Sequence, residues 1–139
     1  MQNQVEYKHA QLTKTIIAAY YTVYNTLGYG FLEKVYRNAL AIEIDSSGFE
    51  VLCEAPIEIS YRDQPIGHYF ADLLVEGKVI IELKTVDRLL PEHEAQLLNY
   101  LKATPYEIGL LLNFGPKPEI RRKAFDNTRK VYIPRLPTR

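Results

Sequence analysis

An α/β fold, with helices flanking a mixed β-sheet in the order α-α-β-β-β-α-β, is predicted by three features of this 139-residue chain. Apolar residues recur at helical spacing through its first third. The middle carries short runs of β-branched and aliphatic residues broken by turn residues. A helical stretch then separates the last of these runs from another, so the two flanking strands are expected to be parallel and joined by a crossover.

Each element has its own signal. Leu12, Ile16, Ile17, Ala19, Tyr20, Val23, Tyr24 and Leu27 form one apolar stripe, and Gly28 and Gly30 end that helix. A second helix is expected from about Phe31 to Ser47, striped by Leu32, Val35, Tyr36, Ala39, Leu40, Ile42 and Ile44 and stopped at Ser46-Ser47-Gly48. Val51 to Tyr61 alternates Ile57, Ile59 and Tyr61 as a strand does, and Arg62-Asp63-Gln64-Pro65 is a turn. Tyr69–Val75 and Val79–Val86 form a hairpin. Pro91 opens a third helix at the position where its missing N–H costs nothing, and the helix runs to about Ala103. Tyr106 to Phe114 is a continuous apolar run, as buried parallel strands are. Short edge strands are expected at Ile120–Phe125 and Lys130–Ile133.

The length suits a single domain, residues 1–139, with its core at about 12–125. The composition, 47% hydrophobic and 24% charged, is that of an ordinary globular chain, and no apolar run is long enough to span a bilayer. Met1 to Gln11 is polar, which leaves the cytoplasm as the expected location. A single cysteine excludes an internal disulfide and a multi-cysteine zinc site; Cys53, in a strand-like stretch, is expected to be a small buried hydrophobe. The chain is neutral overall, but its charge is unevenly spread. Lys117 to Arg139 holds eight Lys/Arg against Glu119 and Asp126, a balance of +6, offset by −6 over the rest. Such a segment is either a solvated tail or a grip for phosphates, with Arg121, Arg122 and Lys123 its nucleic-acid-binding candidates.

The hairpin carries the chemistry. Asp72 lies in its first apolar run, Glu82 and Lys84 in its second, and charges are rarely buried without partners. Residues two apart on a strand share a face, so Glu82 and Lys84 point with Ile80, while Val79, Ile81 and Leu83 point away. A three-residue loop of Glu76, Gly77 and Lys78 would set Asp72 opposite Glu82; a two-residue turn would not. Facing carboxylates repel unless a cation lies between them or one is protonated. Magnesium fits there, because it takes one or two carboxylates and completes its shell with water and phosphate oxygens. Lys84 beside it is a candidate general base or water-orienter. The plain alternative is a chance Asp…Glu-x-Lys pattern whose Glu82 and Lys84 form a solvent-facing ion pair.

Gly30, Glu33 and Tyr36 spell Gly-x-x-Glu-x-x-Tyr. With Ala71-Asp72-Leu73-Leu74-Val75, Ile81-Glu82-Leu83-Lys84 and Gln96-Leu97-Leu98-Asn99-Tyr100, the chain from about Leu12 to Phe125 resembles the GxxExxY family of the PD-(D/E)XK nuclease superfamily. The resemblance implies a restriction-endonuclease-like core and magnesium-dependent hydrolysis of phosphodiester bonds in nucleic acid, DNA in the first instance, with Mn²⁺ able to substitute. It further implies that Asp72, Glu82 and the main-chain carbonyl of Leu83 bind the metal, that Lys84 sits at the attacking water, and that Glu33 adds a helix-borne acid and further ligand. Gln96 and Tyr100 match the Gln-x-x-x-Tyr element of RecB-like nucleases. Ala71, rather than proline, precedes Asp72.

Each supporting residue has a bland reading beside this one. Glu33 suits the first turn of any helix, Tyr36 suits a core, Gln96 and Tyr100 suit a helix capping a sheet, and His93 suits a helix surface. The competing functions are a nucleic-acid- or protein-binding module that keeps the nuclease fold, and an assembly protein with a salt-bridged cluster. So small a nuclease is also expected to need a second copy or a protein partner, and nothing points to a membrane.

Overall fold

The computed structural model describes residues 8–130. Helices α1 (Ala10–Leu27) and α2 (Glu33–Ser46) precede strands β1 (Val51–Tyr61), β2 (Gln64–Val75) and β3 (Val79–Lys84). Helix α3 (Pro91–Ala103), strands β4 (Ile108–Phe114) and β5 (Pro118–Ala124), and a 3-10 turn at Asn127–Arg129 complete them. The sheet has the order β1-β2-β3-β4-β5; only β3 and β4 are parallel, joined by the α3 crossover. This is the mixed α/β architecture expected, with β5 as the foreseen edge strand. The second expected edge strand, Lys130–Ile133, lies outside the described residues except for Lys130, which follows the 3-10 turn.

Alternation along the central strands builds two cores. Val79, Ile81 and Leu83 of β3 and Ile108, Leu110, Leu112 and Phe114 of β4 pack under α1 and α2, against Ile16, Tyr20, Tyr36 and Leu40. Ile80 and Leu111 face the other way and pack under α3, against Leu97, Tyr100 and Leu101. Burial of both faces explains why these strands read as unbroken apolar runs.

Two element starts differ from expectation for physical reasons. Helix α2 starts at Glu33, not Phe31, because the Tyr36 hydroxyl holds the preceding loop, donating to the Gly28 carbonyl (2.6 Å) and accepting from the Phe31 amide (3.1 Å). Strand β2 starts at Gln64 because the turn is made by Arg62 and Asp63 alone, both at positive φ. Pro65 is tolerated there since β2 pairs only with β1 at that end and β3 joins it only from Leu73 onward. Cys53 corrects another expectation: it is exposed, on an edge strand.

A buried polar suture fixes where β3 exits. The Asn113 side chain donates to the Val86 carbonyl (2.9 Å) and to Glu119 (2.9 Å) and accepts from the Val86 amide (3.0 Å). The Glu119 carboxylate also accepts from the Leu89 amide (2.9 Å), and the Tyr20 hydroxyl donates to the Asn113 carbonyl. Gly115 closes this crossing, since a Cβ there would run into the Val86 carbonyl. Gly115→Ala is therefore expected to cost roughly 1–3 kcal/mol of stability, with the m-value unchanged, in urea unfolding.

Candidate active site

The β2–β3 hairpin settles the register question. Glu76 and Gly77 take left-handed φ of 54° and 62°, the Lys78 amide donates to the Val75 carbonyl (2.9 Å), and Val75 pairs with Val79. That register places Asp72 level with Glu82. The ladder itself stops one pair earlier, at Leu73 and Ile81. Beyond it the Asp72 carboxylate accepts the Leu83 amide at 2.7 Å, taking the place of a strand carbonyl.

The strand pleat breaks at the same level. Ala55 and Ala71 pack in the core under α3, whereas Leu73, two residues on, packs under α1 and α2. Between the flanking pairs Cys53–Leu73 and Ala55–Ala71, Glu54 and Asp72 do not pair, and Glu54 has φ 54°. A non-glycine residue in that conformation is strained, and here it accompanies the release of Asp72 from the ladder.

Glu82 is 9% exposed, and its Oε1 is buried without a hydrogen-bond partner. Burial, followed by the charge of Asp72, pushes its pKa up to about 8. Of the two neighbouring carboxyls Glu82 is the more deeply buried, so burial disfavours its ionised form more than that of Asp72. Asp72 is nevertheless raised above its ordinary value by burial, opposed by the Leu83 amide and the charges of Lys84 and Arg37. Lys84, half-buried at the end of β3, pulls down all three nearby carboxyls, Glu33 included.

Glu33 begins α2 and lies within electrostatic reach of Asp72 and Lys84; burial and then Asp72 raise its pKa, although its exposure lets solvent screen the effect. Tyr36 stacks on Phe114 at 4.3 Å and holds the loop leading into Glu33 through the two hydrogen bonds described above. Its plain reading as a core residue and its supporting role therefore coincide. Tyr100 is buried, its pKa pushed up to about 12 by burial and then by Glu82. Gln96, one turn earlier on α3, is exposed and opens onto a groove beside Tyr100.

The basic strand divides by alternation. Arg121 and Lys123 lie on the α3 side, where Glu94 pairs with both, at 3.8 and 2.7 Å. Arg122 turns the other way and donates to the Lys8 carbonyl (3.0 Å). Two residues escaped the sequence reading. Arg37, one helical turn after Glu33, faces Asp72 and pairs with Glu54 at 2.7 Å; its i+4 spacing from Glu33 was the available signal. His93 caps α3, its Nδ1 accepting the Leu90 amide at 3.0 Å.

Among the described residues no three Asp, Glu, His or Cys side chains gather into a metal cage. The donors present still suit a hard cation, since a buried carboxylate oxygen lacking a partner beside a second carboxylate is what such an ion relieves. A family model for the PD-(D/E)XK nuclease superfamily matches residues 10–123. The chain belongs to that superfamily. A solved structure titled "Crystal structure of SSO0001" has the same fold: it is 22% identical, with a TM-score of 0.52, over 86% of this chain and 60% of that one. The superfamily chain described here thus spans only part of that neighbour's length. No curated protein matches it, and no described helix is long and apolar enough to cross a membrane.

Linkage gives the carboxylate pair a measurable signature. Between about 4.5 and about 8 the folded protein holds Glu82's proton more tightly than the unfolded chain does. In EDTA, stability should therefore fall as pH rises through that window, by an amount on the order of a few kcal/mol, with Asp72 adding in the same sense. Urea midpoints of Glu82→Gln should show most of this slope removed and a gain in stability at the alkaline end.

Proposed function

We propose that this chain is a magnesium-dependent nuclease of the GxxExxY branch, hydrolysing phosphodiester bonds in nucleic acid, with DNA as its substrate. The observation that carries the reading is the partnerless, buried Glu82 oxygen set against Asp72, with Lys84 on the same strand. Gly30, Glu33 and Tyr36 support the branch, and membership of a nuclease superfamily supports the reaction. Exposed, unpaired Cys53 suits a reducing compartment, and we assign the protein to the cytoplasm.

Asp72 and Glu82 would hold Mg²⁺, or Mn²⁺ in its place, with the main-chain carbonyl of Leu83, the residue after Glu82, as a third donor and Glu33 in reserve. Bound there, the ion supplies Lewis acidity at the phosphate and makes a neighbouring water more acidic. Lys84 orients that water and holds or takes its proton. Arg37, close to Asp72 yet neutralised in part by Glu54, keeps the surrounding charge balanced. Tyr36 fixes the approach of Glu33, and Tyr100 lies within electrostatic reach of Glu82. Arg121 and Lys123 offer phosphate contacts two strands away on the same side as α3, while Arg122, bonded to the Lys8 carbonyl, lies on the opposite face.

Calorimetric titration with Mg²⁺ or Mn²⁺ is expected to show binding that Asp72→Ala abolishes. Lys84→Ala should leave metal affinity largely intact while cutting the hydrolysis rate by roughly 10²–10⁴-fold. Metal binding without cleavage of any DNA or RNA by the wild-type protein would move the chain to the class of binding modules. Glu94→Gln should release Lys123, and loosen Arg121, which keeps Glu119 at 3.6 Å, strengthening DNA binding and steepening its salt dependence; an unchanged slope would remove that strand from the interface.

A further inference from the structure

A groove of about 380 Å³ lies between α3 and the β1–β2 ribbon, walled by Ile59, Tyr69, Gln96, Asn99 and Tyr100. It adjoins the carboxylate pair, for Tyr100 belongs both to this wall and to the electrostatic surroundings of Asp72 and Glu82. Its chemistry is unsuited to phosphate: among the described residues no cation lines it, and Glu92 adds a carboxylate. What it offers is complementary to a flat, uncharged, hydrogen-bonding ring. Tyr69 is 47% exposed, and its ring is braced 5.5 Å from that of Tyr100, so it presents a supported aromatic surface. Ile59 adds an apolar wall. Gln96 and Asn99, on successive turns of α3, each bring an amide donor and an amide acceptor.

We propose that this groove is a nucleobase subsite that takes one unpaired base of single-stranded nucleic acid while the adjoining backbone crosses Asp72, Glu82 and Lys84. This rests on the nuclease reading and narrows its substrate. In a duplex a base has both faces stacked and its edge paired, so it cannot reach Tyr69 or the α3 amides without being extruded. A single strand presents both freely.

The test is fluorescence anisotropy of the full chain in EDTA, where binding is measured apart from cleavage. The probes are a fluorescein-labelled single strand, its blunt duplex, and a strand of equal length with abasic sites in place of the bases, in both sugar series. In at least one series the base-bearing strand should bind several-fold more tightly than either the duplex or the abasic strand. Tyr69→Ala should weaken the base-bearing strand by roughly tenfold and leave the abasic strand unaffected, with Tyr69→Phe retaining wild-type binding. Asn99→Ala, on an exposed helical position, gives a second variant expected to reduce base-dependent binding. Equal affinity for base-bearing and abasic strands, or loss of binding on Tyr69→Ala irrespective of bases, overturns the subsite. Cleavage assayed separately with Mg²⁺ distinguishes the two claims: base-dependent binding without hydrolysis keeps the groove and removes the enzyme, and hydrolysis without base dependence does the reverse.

Discussion

The β2–β3 ladder ends at the pair Leu73–Ile81, so the next inward amide of β3, that of Leu83, has no strand partner in a buried place. An orphaned backbone N–H there would cost as much as a lost hydrogen bond. The Asp72 carboxylate accepts it at 2.7 Å. This one bond does two things. It closes the backbone accounting of β3, and it aims a carboxylate at the strand whose neighbouring side chains are Glu82 and Lys84. The remaining features of the site are arranged around it. At the same level Glu54 and Asp72 do not pair, the pleat breaks, and Glu54 takes up a left-handed φ. Glu54 there meets Arg37, whose charge favours the ionised form of Asp72 against the effect of burial.

The surroundings hold that arrangement from three directions. Tyr36 reaches from α2 to the α1–α2 loop and fixes where Glu33 enters. Asn113 sutures Val86 to β4, which sets the exit of β3 just past Lys84. Tyr100, a buried residue of α3, lies within electrostatic reach of Glu82. Each is a buried polar group on a packed aromatic or strand position, so positional precision comes from the same residues that make the core. The cost is concentrated on Glu82, whose ionised form is disfavoured until a cation or a proton compensates it.

Much of this was legible in the chain because it depends on period alone. Alternation on β3 put Glu82 and Lys84 on one side with Ile80, whereas the register of Asp72 stayed open between two turn lengths until the pairing of Val75 with Val79 brought it level with Glu82. The continuous apolar runs of β3 and β4 announced burial on both faces. What escaped depends on backbone states with no sequence signature. Nothing about Glu54 announces a positive φ, since that conformation is usually left to glycine or asparagine. Cys53 looked buried because its neighbours are apolar, but β1 is an edge strand at a pleat break, and edge status is a property of topology. His93 lies on the helix surface as expected but has a further role: its ring accepts the Leu90 amide at the N-cap of α3, a bond usually made by Glu or Gln at that third helical position.

The charge map bears on how a substrate would be held. A neutral chain has no long-range pull on a polyanion, and two of the three cations on β5 that could supply a local one are tied to Glu94. Phosphate attraction is therefore a modest part of what this surface offers. In its place stand a carboxylate pair made for a divalent ion and a cation-free groove with a braced aromatic ring and two amides. Under the proposed reading, an unstacked base in the groove supplies affinity on its own, and a bound ion adds to it. A site built that way discriminates by the state of the nucleic acid, stacked or unstacked, more than by its charge, and its binding should be less sensitive to salt than that of a cationic clamp. The same arithmetic explains why the acidic face is not self-defeating: the ion that relieves Glu82 also supplies the positive charge that the protein withholds.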